Sequence, residues 1–218
     1  LKKRIHQLKI SIYFEGKNQT DRKFKDNNEI SMIKIGPSVT HILGGLHNGS
    51  FENCKSLEKV VISNSVKTIG GGAFSSCSNL KQLVISDSVE TIQGGAFSEC
   101  SSLVEVMIPS SVNKIDQVAF EKCRNLQRLI INPYQTKFET NTFQSCPNIK
   151  CLIFESTVSA INKFDYDKCW KLTEIIIPES VTSIQEGALS NCSSLEKLTI
   201  PSSIKYLRRN IFNGCCQT

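Results

Sequence analysis

One spacing constrains this chain more than any other property of its 218 residues. Cysteines stand at Cys54, Cys77, Cys100, Cys123, Cys146, Cys169, Cys192 and Cys215, every interval being 23 residues, and only Cys151 and Cys216 fall outside the series. Other positions keep the same register. Three residues before each cysteine stand Phe51, Phe74, Phe97, Phe120, Phe143, Tyr166, Leu189 and Phe212. Three after it stand Leu57, Leu80, Leu103, Leu126, Ile149, Leu172 and Leu195. Pairs such as Val60/Ile62, Leu83/Ile85 and Val106/Ile108 follow, and then Val66/Ile69, Val89/Ile92 and Val112/Ile115. A unit this short cannot bury its apolar face alone, so successive units must stack and share one core. The period therefore predicts a repeat solenoid, mainly β.

Within each unit, alternation as in Glu105–Val106–Met107–Ile108 marks a strand with Val106 and Ile108 inward. Pro109, Pro178 or Pro201 ends the strand where no ladder N–H is needed, and Ser-Ser or Asp-Ser pairs turn the chain. Gly71–Gly72, Gly94–Gly95 and Gly187 supply tight backbone before the Ala-Phe pair packs inward. Strands of successive coils are expected to pair in parallel and in register, as one long sheet. Upstream the period survives in degraded form from Phe24, with Asn27 in the cysteine's place and four extra residues before Phe51. The chain accordingly divides into a basic flank or cap strand over residues 1–23 and a solenoid over 24–218. The first unit, 24–50, is degenerate and the regular units begin at 51. Departures at 132–143 and 161–169 predict a local distortion between residues 132 and 168.

The unit LxxLxIPxSVxxIxxGAFxxC resembles the leucine-rich repeat of the BspA-like, or treponemal, type over about residues 24–218. That resemblance implies a right-handed coil with the LxxLxI strands on one face. It also implies a group of cell-surface or extracellular proteins, many linked to adhesion, whose partners are host matrix or cell-surface proteins.

The cysteines invite a chemical reading and do not sustain it. Zinc needs ligands converging on one point, whereas equivalent cysteines point the same way one coil apart. No histidine follows His47. A coil spacing of ~4.8 Å lies within the Cα range of disulfides, but parallel side chains keep Cβ atoms beyond the usual ~3.8 Å. A nucleophilic cysteine needs a base or cation beside it, and Phe, Leu and Ser provide neither. Free, inward-packed thiols are expected, with Cys151, Cys215 and Cys216 the most reactive. His41 and His47 read as a solvent-exposed loop pair. No metal, cofactor or catalytic residue is assigned, and the chain reads as no enzyme.

The outward strand positions carry the functional expectation. One row is apolar (Val61, Val84, Met107, Ile130, Ile153 and Ile176), and beside it run the charged Lys59, Glu105 and Arg128. Such a stripe marks a partner-binding face or serves cross-strand packing by β-branched residues; self-association is left open. The net charge of +6 resides in residues 1–25, where eight basic side chains face two acidic ones. The remaining body is balanced, which argues against nucleic acid as a partner. No apolar run reaches the length of a membrane span. Sequons occur at Asn18, Asn48 and Asn191. A protein-binding module at a cell surface is the leading expectation, and a cytoplasmic scaffold or assembly protein of the same fold is the alternative.

Overall fold

The computed structural model describes residues 10–14, 24–45, 48–131, 136–138, 142–143, 145–154, 156, 158–161, 172–190 and 192–215. Among the described residues, sixteen strands lie on two sides of a coil. On one side lie β1 (Ile10–Phe14), β2 (Ile30–Ile35), β4 (Lys59–Val61), β6 (Gln82–Val84), β8 (Glu105–Met107), β10 (Arg128–Ile131), β12 (Cys151–Phe154), β14 (Glu174–Ile176) and β16 (Lys197–Thr199). On the other lie the short strands β3 (His41–Ile42), β5 (Thr68–Ile69), β7 (Thr91–Ile92), β9 (Lys114–Ile115), β11 (Lys137–Phe138), β13 (Ala160–Ile161) and β15 (Ser183–Ile184). All pairing is parallel, and in the regular coils register partners differ by the period, as in Val60↔Leu83 and Leu129↔Leu152. β1 pairs with β2 at the N-terminal end.

The expectation of one continuous sheet needs correction. The strand side forms a four-stranded sheet, β1-β2-β4-β6, and a five-stranded one running from β8 to β16, with no pairing between β6 and β8. The turn that follows the strand supplies a physical reason. In the earlier coils the Ser63 hydroxyl donates to the Gly36 carbonyl at 2.9 Å and the Ser86 hydroxyl to the Ser63 carbonyl at 2.7 Å. The next member of that series is Pro109, which has neither a hydroxyl nor an N–H to offer. A second series breaks at the same seam. Ser65 donates to Val39 O and Ser88 to Val66 O, both at 2.8 Å, whereas the buried Ser111 hydroxyl has no partner among the described residues. Later coils that share the proline turn, β14 and β16, pair normally. The seam therefore falls where the turn chemistry changes, and Leu83 there is only half-buried while Val60 and Val106 are buried.

The opposite side is continuous through the same coils. β3, β5, β7, β9 and β11 form one ribbon, and β13 pairs with β15 separately. Its interruption between β11 and β13 lies inside the stretch where a distortion is expected; residues 132–135, 139–141, 144, 155, 157 and 162–168 of that stretch are outside the described residues. Phe24, Phe51, Phe74, Phe97, Phe120 and Phe143 stack ring on ring, with centroids 5.2–5.5 Å apart. Burying each such ring stabilises the coil by roughly 1.5–3 kcal/mol. Gly72, Gly95 and Gly187 adopt φ of 65–70°, and Val118 occupies the same place in its coil at φ 56°. Gly70 is needed for another reason: a Cβ there would sit 2.4 Å from the Gly44 amide nitrogen, where the four extra residues pack.

Candidate protein-binding surface

The cysteine ladder is the place to settle first. Cys54, Cys77, Cys100, Cys123, Cys146 and Cys192 are buried and free, and Cys215 is half-buried; Cys169 and Cys216 lie outside the described residues. These thiols do more than fill space. Cys77 Sγ donates to the Phe51 carbonyl at 3.1 Å, Cys100 to Phe74 at 3.2 Å and Cys123 to Phe97 at 3.3 Å. Cys54, Cys146 and Cys215 make the equivalent bond to Phe24, Phe120 and Leu189. Each bond reaches back one coil, so the thiol ties the turn of one coil to the backbone of the coil before it. The residue preceding each cysteine makes this reach possible. Asn53, Ser76, Glu99, Lys122 and Ser145 all have φ of 57–61°, the left-handed region, although none is glycine. Burial pushes the Cys77, Cys100 and Cys123 thiols upward, the Cys123 thiol being raised first by its hydrogen bond with Cys146. These three raised thiols do not form the thiolate that nucleophilic or metal chemistry needs, whereas Cys54 and Cys146 are shifted the other way, each lowered first by its hydrogen bond with the neighbouring cysteine.

Cys151 departs from its expectation. Its parity is outward, but it is only 9% exposed, and desolvation together with the neighbouring Glu174 carboxylate raises its thiol. It is not a favoured reactive thiol. His41 is exposed, with Nδ1 2.9 Å from the Thr40 hydroxyl, and His47 lies outside the described residues. Among the described residues no group of three or more His, Cys, Asp or Glu side chains is placed to hold a metal. Asn48 is exposed, but Ser50 of the same sequon is buried, its hydroxyl bonded to the Leu43 carbonyl at 2.9 Å.

On the strand face, register brings the expected residues together. Val61 pairs with Val84, and Met107 with Ile130, Ile153 and Ile176 in succession. They are not equally accessible. Val84 is 49% exposed, Met107 51% and Ile176 39%, whereas Val61, Ile130 and Ile153 are half-buried. Val84 and Met107 border the seam, where each strand lacks a paired neighbour on one side. Val104, just before β8, is also 45% exposed; its place in the neighbouring coils holds Glu58, Lys81, Gln127 and Lys150. Sequence parity passed over Val104 because it precedes the strand, though its departure from a polar row was a visible signal. The charged residues flank this patch as a pair: Arg128 Nε lies 3.2 Å from Glu105, both half-exposed. Lys59 is half-buried. Other charges also obey the period, Lys67 meeting Glu90 at 2.7 Å and Lys122 meeting Glu99 at 3.0 Å. Exposed pairs of this kind each contribute at most about 1 kcal/mol.

The family model and one solved structure agree with this architecture. The model of the BspA type leucine-rich repeat region matches residues 9–126 and 100–218, with six copies. A leucine-rich repeat protein of T. pallidum superposes with a TM-score of 0.57 at 25% identity, over 75% of this chain and 77% of that one. A leucine-rich repeat protein of Bacteroides ovatus matches at 18% identity and a TM-score of 0.40, over 94% of this chain and 76% of that one. The pneumococcal vaccine antigen PcpA matches at 16% identity and a TM-score of 0.40, over 86% of this chain and 66% of that one. No curated protein matches the chain. No helix among the described residues is long and apolar enough to cross a membrane.

Proposed function

The chain belongs to the BspA-type leucine-rich repeat family, and from that premise we propose that it is a non-enzymatic protein-binding module acting in surface adhesion, with the strand face as its contact surface. The observation that carries this reading is the exposure of Val84 and Met107 on the two strands that border the seam, continued along the paired stripe to Ile176. Contiguous exposed apolar surface rimmed by charge is what protein partners use. Arg128 and Glu105 form that rim, and arginine is favoured at such contacts. Host matrix or cell-surface proteins are the partner class that the family resemblance brings. A cytoplasmic scaffold remains the second reading, favoured by the buried cysteines being free.

The test is surface plasmon resonance against a panel of purified extracellular-matrix proteins, with wild type and the triple variant Val84→Ser, Met107→Ser, Ile130→Ser. The wild type is expected to bind one member, and the variant to bind it at least about tenfold more weakly with its fold retained by circular dichroism. Unchanged affinity would sink the strand-face assignment, and binding to no panel member would sink adhesion.

A further inference from the structure

Away from the strand face, the turn preceding the strands carries a polar groove of about 390 Å³ that crosses four coils. We propose that this groove is a second recognition site, selective for an extended peptide with two acidic side chains separated by a short neutral segment. It goes beyond the strand-face reading and does not depend on it.

The charges in the groove determine the ligand class. Lys55 stands at one end, on the first of the four coils, and Arg124 at the other, on the fourth. Both are exposed, and neither has an ion-pair partner among the described residues. Three coil spacings place their backbones ~14 Å apart. Four residues of extended chain, at ~3.4 Å each, cover the same span, and side chains four apart in a strand point the same way. Between the cations lie the hydroxyls of Ser76, Ser78 and Ser101; those of Ser76 and Ser101 already donate, to Glu99 and to the Ser78 carbonyl, and keep lone pairs that can accept from a peptide N–H.

Glu99 argues against a uniformly anionic ligand. Its carboxylate sits in the groove between the two ends, bonded to Lys122 at 3.0 Å and to the Ser76 hydroxyl at 3.2 Å. The Lys122 hydrogen bond holds it below the ordinary carboxylate range, so it stays charged. A ligand with continuous negative charge, such as a sulfated glycan, meets that carboxylate. A peptide with charge only at its two ends avoids it. The strained φ of 61° at Glu99 and 57° at Lys122 belongs to the turn that shapes the groove wall.

The probe is the pentapeptide Asp-Ser-Thr-Ser-Asp, blocked at both termini, measured by calorimetry against the full chain at low and moderate salt. It is expected to bind, with affinity falling as salt rises, and Asn-Ser-Thr-Ser-Asn is expected to bind at least about tenfold more weakly. Lys55→Gln and Arg124→Gln are each expected to weaken binding about tenfold, while Lys205→Gln leaves it unchanged. All three side chains are exposed, so the fold is not at stake. Equal binding of the two peptides would overturn the proposal, as would wild-type affinity in both groove variants. A heparin-derived hexasaccharide binding more tightly than the acidic peptide would overturn it in favour of a glycan. Loss of binding on neutralising Lys2, Lys3 and Arg4 instead would assign the effect to the basic flank and equally overturn it.

Discussion

The two sides of this solenoid are written in the same 23-residue period, yet one runs unbroken through the coils from Phe24 to Phe143 and the other is cut between β6 and β8. On the first side each coil is tied to the one before by a buried ring stack and a thiol-to-carbonyl bond. On the second, the tie depends on backbone ladders closed by the turn after the strand, and Pro109 changes that turn. Stacking is thus continuous where every unit supplies the same donor, and the break between β6 and β8 falls where a serine turn gives way to a proline turn. The interruption coincides with the most exposed part of the apolar stripe, Val84 and Met107. The place where the repeat is least regular is the place with most to offer a partner.

The largest effect should come from attacking the continuous side. Phe97→Ala removes a fully buried ring stacked on both Phe74 and Phe120, and a loss of about 3–5 kcal/mol is expected. Met107→Ala, on the interrupted side, should cost less than ~1 kcal/mol. Urea denaturation of the two variants compares them directly; similar losses would erase the contrast.

A smaller change separates packing from hydrogen bonding within the ladder. Cys100→Ala removes the donor to the Phe74 carbonyl, and a cost of about 1–2 kcal/mol is expected. Cys100→Ser keeps a donor and should cost less. If serine proves worse than alanine, the thiol acts as an apolar group only. A smaller shift still, and of opposite sign, is expected at Val118, a β-branched residue at φ 56° where three other coils have Gly72, Gly95 and Gly187. Val118→Gly should raise stability by about 0.5 kcal/mol, relief of left-handed strain slightly exceeding the added backbone entropy. A lower denaturation midpoint would mean that Val118's packing outweighs its strain.

Much of this was legible in the chain alone. The cysteine spacing with its Phe and Leu companions specified a stacked coil, and strand parity identified the row from Val61 to Ile176. The thiol bonds were not legible, because they depend on left-handed backbone at Ser76, Glu99 and Lys122, residue types that do not advertise that conformation, and only Asn53 is of a type that favours it. The seam was half-legible. Pro109 is plain in the sequence, but its consequence arises only against a neighbouring coil that closes its turn with serine. For the same reason parity alone treated Val61 and Val84 alike, although only Val84 borders the break. Cys151 was misjudged because parity states which face a side chain takes, not how its neighbours cover it.

The contrast between the two sides has one direct test, native-state hydrogen exchange read residue by residue. Lys81 and Gln82 donate to the Glu58 carbonyl, and Gln127 and Arg128 to that of Val104, but the equivalent bonds from Val104 and Glu105 to Lys81 are not formed among the described residues. Phe97 and Glu99, on the continuous side of the same coil, donate to Ala119 and Glu121 at 2.8 Å. The amides of Val104 and Glu105 should exchange at least about tenfold faster than those of Phe97, Glu99, Gln127 and Arg128, and Pro109→Ser should slow them. Equal protection across these six amides would contradict the account.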